Sequence, residues 1–196
     1  MGIDYSRSVV DWQEYVKFLD HIYESKPDEG LYWELLDDFY TNHGLDHRAG
    51  TEFENTCWDG TSEGQGLADI YKDFRMKLQP EQRALWDTFF STFMPDEFSG
   101  CGGDGKKCID DGPIEHEEQT IAALNPISAN RLFEVWKSLD LESFAACAEA
   151  AVNEGTIRLD PFFPHVKSLV LYIRTWAILV ESAARNSKGI VVSIAI

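Results

Sequence analysis

The chain ends in the stretch VKSLVLYIRTWAILVESAARNSKGIVVSIAI, residues 166–196, which is the most apolar part of the sequence. Its apolar residues recur at helical spacing: Val166, Leu169, Val170, Ile173, Ala177, Val180 and Ala184. Other apolar side chains, including Leu171 and Ile178, fill most of the remaining circumference. Only a narrow polar stripe is left, at Lys167, Arg174 and Glu181. The pattern predicts a helix that is buried on nearly all sides.

A strand is predicted after this helix. Gly189 is expected to supply the left-handed position that ends the helix, because glycine adopts that conformation without steric cost. Residues 190–196, IVVSIAI, are rich in the β-branched side chains that fill a buried strand. We therefore expect an α+β fold that is mainly helical, with helices packed around the buried C-terminal helix and a small sheet that includes the C-terminal strand.

The preceding elements are predicted from helix caps and spacing. Ser8-Val9-Val10-Asp11 has the form of an N-terminal cap, so a first helix should run to about Glu24. A short second helix is expected around Leu31, Leu35, Leu36 and Phe39. Further helices are predicted over residues 67–78, from Pro80 to about 93, over 128–139 and over 140–153, where Gly155 stops the last. Loops are expected over 41–66 and 99–112, and residues 114–124 fit a strand or a short helix.

Net charge is the most informative bulk property of the chain. The formal charge is −17, and residues 1–124 contain 27 of the 34 acids but only 10 of the 17 bases. Residues 28–63 contain ten acids and Arg48 as the single base. Such a field repels nucleic acid and anionic membranes and attracts basic proteins. We expect a single domain, 1–196, with an acidic helical and loop lobe over 1–77 and a core over 78–196.

The sequence indicates a cytoplasmic protein. Its N-terminus lacks the apolar segment of a secretory signal, and the apolar run of residues 168–184 is short for a membrane span and contains Arg174 and Glu181. Four cysteines in a chain of this size do not form a disulfide framework.

The stretches LNPISANRLFEVWKSLDLESF and LDPFFPHVKSLVLYIRTWAILVESAARNSKGIVVSIAI resemble the C-terminal half of the YfbM-like family of uncharacterised small bacterial proteins. RALWDTFFSTFMPDEFSG is similar to the family's tryptophan-containing helix ahead of a glycine loop. The resemblance covers about 110 residues, from near Leu78 to the end. It implies a cytosolic α/β fold and no established reaction, so it transfers no site residue.

Two loops contain residues that could ligate a metal. His43 and His47 are spaced i, i+4 beside acids, but Gly44 and Gly50 argue against the helix that would bring them together. Cys101 and Cys108 could bind zinc with His116, form a disulfide or remain free thiols. A small metal-dependent hydrolase using either loop is the alternative function. No cofactor is expected.

The leading hypothesis is a non-enzymatic protein that binds a basic protein, because the acidic lobe combines carboxylates with aromatic side chains. The partner would be a toxin such as a nuclease, and this chain its immunity protein. No binding of nucleic acid or membrane is expected. The partner-binding residues are predicted to be Glu34, Asp37, Asp38, Asp46, Glu52, Phe53, Glu54, Trp58 and Asp59. The competing interpretation is that the acidity serves only solubility.

Overall fold

The computed structural model describes residues 4–28, 30–31, 34–35, 38–39, 42, 44–45, 63–93, 111–116, 119–159, 161 and 163–195. Its strands are β1 (Asp4–Val10), β2 (Gly44–Leu45), β3 (Asp111–His116), β4 (Gln119–Leu124) and β5 (Gly189–Ala195). Its helices are α1 (Trp12–Ser25), α2 (Glu63–Phe74), a 3₁₀ turn (Arg75–Lys77), α3 (Pro80–Phe93), α4 (Pro126–Lys137), α5 (Leu141–Asn153) and α6 (Val166–Arg185). The fold is α+β and mainly helical, as predicted.

The five described strands form one antiparallel sheet in the order β2-β1-β5-β4-β3. The first and last strands of the chain are therefore neighbours in the middle of the sheet. Their register aligns Val9 with Ile190, and the register of β4 aligns Leu124 with the same residue. Because successive side chains of a strand point to opposite faces, this row of three lies on one face.

Each face of the sheet is covered by helices. Val9, Ile190 and Leu124 are fully buried in the main core, to which α2, α3, α4, α5 and α6 contribute. The neighbouring residues Val10 and Val191 belong to a second, smaller cluster with Tyr15, Phe39 and Ala123. The sheet thus separates α1, on one side, from the other helices.

The C-terminal helix α6 lies over β1 and β5, beside α4. Phe89 of α3 contacts both of these helices. Its ring centroid lies 5.5 Å from that of Trp136 in α4 and 6.4 Å from that of Trp176 in α6. Phe144 of α5 packs against Trp86 in the same cluster, at 4.3 Å. The sheet, α4 and the layer of α3 and α5 therefore enclose three sides of α6.

The prediction that α6 is buried on nearly all sides is wrong for its fourth side. Leu171 and Ile178 are 42% and 56% exposed, in the same stripe as Lys167 and Arg174. Helical spacing shows that these apolar residues share a stripe with the polar ones, but it does not show how many neighbours surround the helix.

The predicted cap at Ser8 is also wrong. Residues 4–10 form β1, whose whole length pairs with β5, and Asp11 is the residue that caps α1. Its carboxylate accepts hydrogen bonds from the backbone N–H groups of Gln13 and Glu14, at 3.1 and 3.4 Å. Pairing with a strand some 180 residues away overrides the local capping pattern.

Gly189 does not end the helix, contrary to the prediction. Helix α6 ends at Arg185, and Ser187 has the left-handed conformation, with φ 52°. Gly189 is the first residue of β5, and a Cβ atom there would lie 2.5 Å from Cε3 of Trp12 and 2.9 Å from the carbonyl oxygen of Leu124. The glycine is required by close packing and not by its backbone angles.

The remaining predictions agree in type and differ at their ends. Residues 30, 31, 34, 35, 38, 39 and 42 are helical, as expected for the second helix. The predicted 41–66 loop is too long, because Gly44–Leu45 pairs with β1 and α2 begins at Glu63. Residues 111–112 of the second loop belong to β3, and residues 114–116 and 119–124 belong to the antiparallel strands β3 and β4. Gly155 has φ 71° after α5, as predicted. The division of the chain at residue 77 stays a prediction.

An ion pair connects the two ends of the chain. Nζ of Lys188 lies 2.6 Å from Oδ2 of Asp11 and, through this hydrogen bond above all, holds the pKa of that carboxyl below its usual 3.8. A lowered pKa stabilises the fold at pH values above the unfolded pKa. This stabilisation disappears as the pH falls through the lower, folded value.

We expect the Asp11→Asn variant to isolate this effect, because asparagine is also a good helix cap. Near pH 6 the variant should be less stable than the wild type by about 1 kcal/mol or less, since the pair is partly exposed. The difference should shrink as the pH falls below about 4. Urea unfolding of both proteins from pH 6 to pH 2.5 measures it. In a Lys188→Met background the difference should be smaller, because only the backbone hydrogen bonds from Glu14 and Gln13 then favour the Asp11 carboxylate. An equally large difference in that background would contradict the assignment to Lys188.

Candidate functional site

The face of the sheet opposite α6 is covered by α1 and by the helical residues between 30 and 42, which together we call the acidic layer. Helix α1 ends at a left-handed Lys26, with φ 45°. The side chain of Asp28 then accepts a hydrogen bond from the backbone N–H of Leu31 at 3.0 Å, as an N-terminal cap does. The chain therefore turns back within a few residues to form a helical hairpin.

Aromatic contacts join the two parts of the acidic layer. The ring of Phe39 stacks on Phe18 with centroids 4.7 Å apart and lies 5.8 Å from the ring of Tyr15. Phe39 and Tyr15 are buried against Val10 and Val191 of the sheet. Four exposed carboxylates of the layer are thus supported by a packed base: those of Asp20, Glu24, Glu34 and Asp38.

These four carboxylates are not neutralised by any described side chain. Two nearby acids, by contrast, have ion-pair partners. Glu14 of the layer pairs with Lys17 at 2.7 Å, and the capping residue Asp11 pairs with Lys188. Asp20 and Glu24 lie four residues apart on α1, and Glu34 and Asp38 have the same spacing on the second helical segment. Side chains at this spacing are neighbours on a helix surface, so each helix presents two adjacent negative charges to solvent.

The layer also exposes apolar surface. Val16 on α1 and Leu31 on the second helical segment are each more than one third exposed. Apolar contacts of this kind, surrounded by charge, are found where proteins bind other proteins. The acidic layer is the candidate site because it combines exposed carboxylates, exposed apolar atoms and buried aromatic side chains beneath them.

Of the predicted partner-binding residues, the structure places Glu34 and Asp38 in this layer, both exposed. The others lie outside the described residues: Asp37, Asp46, Glu52, Phe53, Glu54, Trp58 and Asp59. The sequence pattern does not single out Asp20 and Glu24, because the densest run of acids lies after residue 28. Their i, i+4 spacing on the polar face of the predicted first helix does indicate that the two carboxylates are neighbours.

Most of the residues predicted as metal ligands lie outside the described part of the chain. His43, His47, Cys101 and Cys108 lie outside the described residues, and His116 is in β3, where its backbone pairs with Gln119. Across the described ranges, no three His, Cys, Asp or Glu side chains are grouped so that they could hold a metal ion.

A buried polar cluster joins α2 and α3. Asp87, only 4% exposed, accepts hydrogen bonds from the hydroxyl of Tyr71 at 2.7 Å and from Nε of Arg75 at 2.8 Å, and Nη2 of Arg75 contacts its second oxygen. Burial, reinforced by the hydrogen bond to Asp87, raises the pKa of Tyr71 well above its usual range. Both carboxylate oxygens are used in these contacts, so the cluster functions as a structural clamp.

No family model, curated protein or solved structure matches this chain. In the part of the chain that the structure describes, no helix has the length and apolar character needed to cross a membrane.

Proposed function

We propose that this protein acts by binding a basic partner protein through its acidic layer. The observation that carries the proposal is a set of four exposed carboxylates that pair with no described side chain, those of Asp20, Glu24, Glu34 and Asp38. In its most specific form, the proposal is that the protein is a cytoplasmic immunity protein. Its partner is then a toxin whose cationic cleft faces these carboxylates.

The charge distribution supports this proposal. A net charge of −17 accelerates the encounter with a cationic protein and orients it toward the side with the highest acid density. Val16 and Leu31 supply apolar contact area, and the stacked Phe18 and Phe39 fix the two helices relative to each other. A surface that is already ordered loses little conformational entropy on binding.

Affinity capture from the native host tests the proposal. The wild-type protein should retain a basic protein at low salt and release it at high salt, because screening weakens contacts between exposed charges. The variant Asp20→Asn/Glu24→Gln/Glu34→Gln/Asp38→Asn should bind the captured partner about tenfold more weakly or worse, mainly through slower association. Surface plasmon resonance with the purified pair measures both rates.

A second variant controls for the loss of negative charge in general. Glu142 and Glu149 are exposed on α5, on the other side of the sheet, and Glu142→Gln/Glu149→Gln should leave the affinity within about twofold. The proposal fails if no basic partner is captured, or if both variants weaken binding equally.

We also propose that residues 78–196 share the YfbM-like fold. This relationship adds no site residue, and the binding proposal does not depend on it.

A further inference from the structure

The exposed side of α6 is a second surface with its own chemistry. It consists of Lys167, Leu171, Arg174, Ile178, Glu181 and Arg185, and we call it the α6 flank. The acidic layer covers the opposite face of the sheet, so the two surfaces do not overlap.

The six positions of the α6 flank follow one another at intervals of four, three, four, three and four residues, so they form one continuous stripe along the helix. Leu171 and Ile178 alternate in this stripe with charged residues. Leu171 and Ile178 are one heptad apart, which places them about 10 Å from each other along the axis. The surface thus presents two apolar side chains that are about two helical turns apart, a spacing that apolar residues on a second helix can match.

The charges of the flank define what that second helix carries. Lys167 and Arg174 are exposed and have no ion-pair partner among the described residues, whereas Arg185 pairs with Glu181 of the same helix. The uncompensated charge around Leu171 is therefore positive, although the whole chain is strongly negative. Carboxylates on the incoming helix complement it.

Leu171 and Ile178 are held on a rigid base. Trp176 and Ile173 on the inner side of α6 are buried, as are Leu169 and Val180. Because the sheet, α4 and the layer of α3 and α5 hold the helix on three sides, its outer side chains keep their spacing without any partner. Such preorganisation lowers the entropic cost of binding.

We propose that the α6 flank is a docking site for an amphipathic helix of another protein, with apolar residues seven positions apart and acidic residues beside them. A second copy of this chain fits poorly, because two molecules of charge −17 repel each other. The inference is independent of the proposed function, which concerns the acidic layer.

Two synthetic helical peptides of three heptads test this proposal. Both have leucine or isoleucine at every seventh position, and the positions beside these residues are glutamate in one peptide and lysine in the other. Calorimetric titration at about 150 mM salt, where distant charges are screened, measures the affinity of each. The glutamate peptide should bind the wild-type protein.

The double variant Leu171→Ser/Ile178→Ser should weaken binding of the glutamate peptide about 100-fold, because each apolar contact is worth about a factor of ten or more. Ile127→Ser is the matched control, since Ile127 is 64% exposed on α4 and lies outside the flank. It should leave the affinity unchanged. All these side chains are exposed, so the urea midpoints of the variants should stay close to that of the wild type.

Charge exchange tests the sign of the surface. Lys167→Glu/Arg174→Glu should weaken the glutamate peptide about tenfold and strengthen the lysine peptide. The proposal is overturned if the glutamate peptide does not bind, if Ile127→Ser weakens it as much as the double variant does, or if charge exchange has no effect. Lysine-peptide binding to the wild type that is abolished by the double variant would also overturn it.

Discussion

Replacing Asp87 with alanine should lower the free energy of unfolding by about 3–5 kcal/mol. The substitution removes the acceptor of the hydrogen bonds donated by Tyr71 and Arg75, and with it the carboxylate that contacts two nitrogens of the largely buried Arg75 guanidinium. Removing one partner of a buried ion pair costs more than the pair itself contributes. Urea unfolding at neutral pH, followed by tryptophan fluorescence, measures the loss.

Glu134→Ala provides the comparison, because it removes an ion pair that is exposed. Glu134 and Lys137 lie 2.7 Å apart on α4, with about half of each side chain in solvent. Loss of this ion pair should lower the free energy of unfolding by about 0.5 kcal/mol or less. If Asp87→Ala and Glu134→Ala destabilise the protein equally, the cluster at Asp87 does not clamp α2 to α3.

Gly189→Ala should destabilise the protein by about 2–3 kcal/mol, near the upper end of the range for overpacking. The added methyl group would lie 2.5 Å from the ring of Trp12 and 2.9 Å from the carbonyl oxygen of Leu124, both closer than normal van der Waals contact. The ring can shift, but the carbonyl belongs to β4, which pairs with β5, so relief requires a movement of the sheet.

Gly155→Ala separates crowding from backbone strain. Gly155 has a left-handed backbone, and no atom lies within 4 Å of the position that its Cβ would occupy. Alanine there should cost only about 1 kcal/mol, the price of the left-handed conformation. In a Trp12→Leu background, Gly189→Ala should cost less than in the wild type, since one of its two clashes is relieved. An equal cost in both backgrounds would show that the ring of Trp12 does not crowd this position.

Part of the candidate site was predictable. The concentration of acids before residue 124 and the helical spacing around Leu31 and Phe39 placed Glu34 and Asp38 on an exposed helical face, where the structure has them. Asp20 and Glu24 were not selected, because only the packing of Phe39 on Phe18 shows that α1 lies beside the second helical segment. Composition cannot tell which two helices are neighbours.

By itself, the sequence determined the features that depend on a few neighbouring residues. These are the helices from Pro80 to Arg185, the stop at Gly155, the apolar strand at the C-terminus and the separation of the acidic part from the neutral part. Each rests on spacing, backbone preference or charge within a short window.

Only the tertiary structure decided the features that join distant parts of the chain. They are the pairing of β1 with β5, the need for glycine at 189, the clamp at Asp87 and the open flank of α6. Asp11 and Lys188 contact each other across 177 positions of sequence. Pairing partners and the number of neighbours around a helix arise when the chain closes on itself, so no local pattern contains them.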